Sequence, residues 1–195
     1  MTASIVTRPA VPLMTLADAK EHLRITGTDE DGYVGGLVSD VEGYLDAEHG
    51  VLGRAFITQT WDEAIDGFPE SRIDLPFAPV QSITSITYYD TANAAQTLAA
   101  SNYSLVSAND QAFIQKASAG TWPETYDRPD AVTVRYVCGY GDAPTDLPQQ
   151  VLRLVRLLVA HWDGHRSAAS DRSAVEVPMA AQMIMSSLRT SRGLY

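Results

Sequence analysis

Apolar residues at Val34, Leu37, Val38, Val41 and Leu45 recur every three or four positions, the spacing of one helical face. The acidic run "TDEDG" just before them suits a helix N-terminus, where free amides and the macrodipole favour carboxylates. Gly50 or Gly53 is the expected stop. Upstream, "TLADAKEHLRI" predicts a shorter helix: Thr15 is its cap, Asp18 stands in the place of a weak capping-box acid, and Leu16, Ala19 and Leu23 form its stripe. Gly27 is expected to end it. Gly35 and Gly36 each cost the second helix roughly 1 kcal/mol relative to alanine. They mark either a close helix contact or a frayed first turn.

From residue 55 the period changes from helical to alternating. In "AFITQTWDEAI", Ile57, Trp61 and Ile65 share a side, with Gln59 and Glu63 between them. "RIDL" is short and stops at Pro76, which has no N–H to give to a ladder. "VQSITSITYYD" is β-branched and aromatic, but Ile83 and Ile86 fall on opposite faces, which predicts a bulged strand. "TANAAQTL" follows as a hairpin turn and return, and "YSLV" and "AFIQ" are further short strands. Residues 117–130 form a loop with two prolines. The clearest strand is "AVTVRYVCGY", with Val132, Val134, Tyr136, Cys138 and Tyr140 on one face. Six or so short strands separated by turns make an antiparallel module, not a series of βαβ units.

Helical spacing returns with "QQVLRLVRLLVAHW", where Asp146 is the expected N-cap and Pro148 lies in the first turn. Leu147, Val151, Leu154, Val155, Leu158 and Trp162 define one face, and Leu152, Leu157 and Val159 widen it. A helix this apolar must be enclosed, so it is expected at the centre of a core built with residues 15–50. Residues 163–177 are small and polar, and "PMAAQMIMSSLRTSRGLY" supplies a last helix and a basic tail. The expected class is α+β: a helical core (13–54 and 142–188) carrying an inserted antiparallel β module (55–141). Residues 1–12, with Pro9, Pro12 and no period, read as an arm, and 189–195 as a C-terminal tail.

Charge and cysteine count narrow the function. The 195 residues carry a formal net charge of -10, which disfavours a protein that grips nucleic acid by its phosphates. Residues 147–195 hold six arginines against Asp163, Asp171 and Glu176, so +3 sits at the C-terminal end and -13 in the rest. Such a dipolar chain suits head-to-tail packing of copies or docking on a partner. A lone cysteine, Cys138, excludes an intrachain disulfide and fits intracellular synthesis. The opening "MTASIVTRPAVPLMT" lacks a signal peptide's apolar core, and no run approaches the ~18 apolar residues of a membrane helix.

Catalytic chemistry is thin. His161, Asp163 and His165 have spacings that could gather a metal if the helix continued, whereas a break at Gly164 would leave His161 packed beside Trp162. Cys138, amid apolar neighbours, is a core residue and not a nucleophile. "GYGDAP" lacks the lysine of a phosphate loop, and no G-x-S-x-G or H-E-x-x-H occurs. No catalytic set, metal or cofactor is expected, and the chain is not read as an enzyme.

In order, "TLADAKEHLRI", acidic "DED" opening a helix, "GRAFITQTWDEAIDGFP", "IDLPFAPVQSITSITYYD" and a late apolar helix resemble the head–tail connector (adaptor) family of tailed phages, which phage-like gene transfer agents also carry. The resemblance is strongest over residues 13–90. It implies a structural role: a homo-oligomeric ring, expected to be dodecameric, between the portal protein and the tail-side stopper, at the neck of a particle assembled in the host cytoplasm. DNA would pass through without sequence-specific binding. It also implies that the C-terminal segment reaches the portal, with Leu188, Leu194 and Tyr195 as anchors and Arg189 and Arg192 as charge partners. Trp61, Tyr88, Tyr89 and Tyr103 are either core residues or anchors of an inter-subunit or tail-side interface. The competing readings are the stopper itself, a ligand-binding accessory domain, and a small metal-dependent enzyme using His161, Asp163 and His165.

Overall fold

A computed structural model describes residues 2–46, 50–108, 111–165 and 177–189. The fold is α+β, as the sequence pattern predicts, with four α-helices and eight strands among the described residues. The chain divides into two compact units: Met1–Pro9 with Thr58–Tyr140, and Ala10–Ile57 with Gly141–Tyr195.

The second unit is helical: α1 (Leu16–Leu23), α2 (Asp31–Leu45), α3 (Gln149–Gly164) and α4 (Met179–Leu188). Thr15 caps α1 as expected; its hydroxyl accepts the Asp18 amide at 3.1 Å and donates to the Asp18 carboxylate at 2.6 Å. The helix ends at Leu23, before Gly27, because Arg24 turns left-handed (φ 59) and the Ile25 amide returns to the Lys20 carbonyl. Of its expected stripe only Ala19 is buried; Leu16 is exposed and Leu23 half-buried. Lys20 Nζ donates to the Gly27 carbonyl and the Asp31 carboxylate, tying the end of α1 to the start of α2.

In α2 all five stripe residues are buried. The helix stops at Leu45, ahead of both glycines, where Asp46 becomes extended and its carboxylate accepts the Phe56 amide at 3.0 Å. A Cβ added at Gly35 or Gly36 would meet nothing within 4 Å, so neither residue is there to admit a close helix.

Helix α3 packs against α1, α2 and α4, burying Val151, Leu154, Val155, Leu158 and Val159, so its central place in the helical core is as expected. Tyr44 meets Trp162 edge-on at 5.7 Å, and a His22 ring nitrogen bonds the Arg156 carbonyl at 3.0 Å. Pro148, not Asp146, occupies the N-cap; the Asp146 carboxylate instead takes the Ala143 amide at 3.0 Å around a 3₁₀ turn, Pro144–Asp146. The helix ends on Gly164, with His165 as its C-cap, close to the expected break.

The first unit holds the strands β1 (Thr2–Thr7), β2 (Gln59–Ile65), β3 (Arg72–Leu75), β4 (Val80–Tyr89), β5 (Ala95–Thr97), β6 (Tyr103–Ala108), β7 (Gln111–Lys116) and β8 (Val132–Cys138). One sheet has the order β1-β2-β8-β4-β5 and the other β3-β7-β6, with every pair antiparallel. The expected N-terminal arm is corrected at residues 2–7, which form β1 on the edge of β2. Trp61 lies opposite Tyr136, and Tyr136 opposite Ile83, so the three central strands share one inward row. β4 shifts register between Val80 and Ser82 and again between Ile83 and Ser85, the predicted irregularity occurring twice. After β3 the "PFAP" turn drops Phe77 onto Trp61, ring centroids 4.5 Å apart.

Two stability outcomes follow for the helical unit. Gly36→Ala, on an exposed helical position with free space for the methyl, should stabilise by about 0.4–1 kcal/mol in denaturant unfolding. Burial raises the pKa of Glu42 most, Asp46 adds to the rise, and the Leu13 amide opposes it. A carboxyl whose folded pKa is raised favours folding below its unfolded value and loses that contribution as pH climbs through the folded one. Glu42→Gln, which keeps an acceptor for Leu13, should therefore match the wild type at pH 4 and gain stability relative to it by pH 7, read from paired urea curves.

Candidate functional site

The expected aromatic interface separates into different environments. Trp61 is a correction: only 2% exposed, on the inward face of β2, it donates Nε1–H to Gln59 Oε1 at 2.9 Å and packs at a tilt against Phe77, so it is core. The alternation that placed it on a face did not say which face was covered. Tyr88, Tyr89 and Tyr103 are half-buried. Tyr88 meets Phe68 edge-on at 5.7 Å; Tyr89 lies under the Arg128 guanidinium, 3.9 Å from its carbon to the ring centre. Burial pushes the Tyr103 hydroxyl pKa up. Arg128 in turn forks onto Asp130, holding that carboxyl below its ordinary range.

An open cleft of about 690 Å³ lies in the same unit. Phe68 and Trp122 stack within its lining, 4.9 Å apart and 8° from parallel, and Glu70, Glu124 and Lys116 supply charge. Trp122 Nε1 is buried with no acceptor among the described residues. Beside the cleft, the β4–β5 turn is held by Asp90, whose carboxylate accepts the Ala92 and Ala94 amides at 3.0 Å each. The Ala94 amide, then Gln96, lowers the Asp90 pKa.

The C-terminal segment is anchored by a residue that sequence reasoning passed over. Arg54, 2% exposed, donates Nε–H to the carbonyl of Leu188, the last residue of α4. A buried cation at a helix C-terminus satisfies an orphan carbonyl and opposes the negative end of the dipole. Its signal was a lone arginine inside "GRAFI", where an unpaired charge could not stay. Leu188 itself is 7% exposed and belongs to the helical core, so it is not a free anchor of the tail. Arg189 is exposed, with Nε 3.1 Å from the Val51 carbonyl. Arg192, Leu194 and Tyr195 lie outside the described residues.

His161 and His165 stand on one helical face with ring centroids 4.4 Å apart, and His165 Nδ1 is 2.6 Å from the His161 carbonyl. Two positions from each, Asp163 points to another side of the helix. Among the described residues no three His, Cys, Asp or Glu side chains are grouped to hold a metal. Cys138 is buried on the inward face of β8, Sγ 3.8 Å from the Gln59 carbonyl.

Residues 13–117, more than half of the chain, match the family model described as phage gp6-like head-tail connector protein. The chain belongs to this family. The match takes in α1, α2 and the strands from β2 to β7. In solved structures the likeness of fold extends over nearly the whole chain. A chain in the neck of an empty GTA particle, computed with C6 symmetry, aligns with a TM-score of 0.74 at 23% identity. One in the virion of a native gene transfer agent particle gives 0.72 at 21%, and one in a native GTA neck with C12 symmetry gives 0.70 at 22%. Each alignment covers 98% of this chain and 97% of the other. No curated protein matches the chain.

Arg54→Met should destabilise this connector by about 1.5–3 kcal/mol, the range for losing a charged hydrogen bond, measured by urea unfolding.

Proposed function

We propose that this chain is the adaptor subunit of a particle neck, forming a ring between the portal protein and the tail-side stopper through which DNA passes. Membership of the head–tail connector family carries the reading. The likeness of fold along the full length to chains from gene transfer agent particles, one of them in a neck computed with C12 symmetry, supports a twelve-membered ring. A net charge of -10 suits a passage in which phosphates must slide, since a lysine-rich wall would hold them. The role is structural, not enzymatic.

The portal contact is assigned to the residues after Leu188. Arg54 fixes where that segment leaves the helical unit, and six residues beyond Arg189 reach about 20 Å when extended. Arg189 and Arg192 supply charge, and Leu194 and Tyr195 supply apolar anchors. Weak contacts of this kind gain strength by repetition when ring meets ring.

Mixing the chain with portal rings and imaging the product tests this. A chain ending at Arg189 keeps the Arg54 contact and is the control. The full chain should decorate portals and the shortened one should not. Equal decoration overturns the tail assignment; no decoration by the full chain overturns the adaptor reading in favour of the stopper.

A further inference from the structure

Among the described residues, the five-stranded sheet is open at both ends. Residues Thr2–Thr7 of β1 pair with β2 on one flank, and no described residue pairs with the other. At the far end β5 covers only Thr87–Tyr89 of β4, and the Leu98 amide, 2.8 Å from the Ile86 carbonyl, ends that contact. Residues Val80–Ser85 of β4 pair with β8 alone among the described residues. Each free flank is thus six residues long, about 20 Å of strand.

Of the usual guards of an edge, these flanks lack charge and proline. "TASIVT" and "VQSITS" contain no charged residue and no proline, and Val6 is 44% exposed on β1. The other sheet differs: β3 bears the Arg72–Asp74 ion pair (2.9 Å) and runs into Pro76, and β6 is half-buried from Tyr103 to Val106. The open flanks have only bulges, one in β1 and two in β4, which add twist without removing a donor or acceptor.

Polarity makes the two flanks complementary. Strand direction alternates along β1-β2-β8-β4, so β1 and β4 run in opposite senses. A second copy in similar orientation therefore presents its β1 antiparallel to the free part of β4. We propose that β1 of one copy adds to Val80–Ser85 of the next, in the lane that β5 occupies farther along, continuing the sheet from copy to copy. Main-chain hydrogen bonds then make the joint. Two different surfaces meet, so the contact is heterologous and closes into a ring when the rotation allows. The inference rests on the ring reading above and identifies its joint.

The full chain assembled on portal rings provides the test. Amide exchange at residues 2–7 and 81–85 should slow at least tenfold in the wild-type ring relative to the free chain. Oxidation of a variant pairing Ser4→Cys with Ser82→Cys, or with Thr84→Cys, should give a ladder of covalent oligomers that each single variant lacks. Wild-type rings with unchanged exchange at both segments overturn the edge joint and leave the ring standing. No rings at all overturn both. Exchange on the wild type decides the matter where a cysteine variant fails to assemble.

Discussion

A guanidinium with almost no access to water must be given acceptors, and in the helical unit that requirement falls on the end of α4. Arg54 lies just before the chain leaves for the strands, and Leu188 lies 134 positions later. Their bond joins the two sequence-distant parts of one core. Two other long-range contacts act alongside it, the Leu13 amide with Glu42 and His22 with the Arg156 carbonyl. The Arg54 and His22 contacts close loops of more than a hundred residues, whose entropic penalty grows only logarithmically with length. A long excursion into sheets is therefore compatible with a stable helical core.

The strand unit is organised by a different constraint, the two-residue period of its central strands. Gln59, Trp61, Glu63 and Ile65 on β2 and Val132, Val134, Tyr136 and Cys138 on β8 are all buried. Two polar residues on the β2 row show that position, not side-chain class, set the face. On the opposite side of the same pair, Arg135 forks onto its cross-strand partner Asp62 at 2.8 and 2.7 Å.

Much of this is legible in the sequence wherever one face alone is covered. The α2 stripe and the β8 alternation stand out because burial imposes a period. β1 does not, because an edge strand exposed on much of both faces has no such imprint; its partner β2 makes it a strand. The ends of α1 and α2 fall short of the glycines expected to stop them, since Arg24 adopts the left-handed turn and Asp46 leaves the helix as extended chain. Trp61 shows the limit of composition: an aromatic residue on an alternating strand is equally suited to a core and an interface, and only the Phe77 contact decides. The role proposed for the tail rests on family resemblance alone, since no spacing in those residues specifies a partner.

β1 contains no ionisable side chain. A joint through its backbone would therefore depend less directly on ionic strength than contacts of Arg189 and Arg192 would, since mobile ions shorten the Debye length. If both proposed contacts form, salt would loosen the joint made by the tail before the one made by the sheet edge.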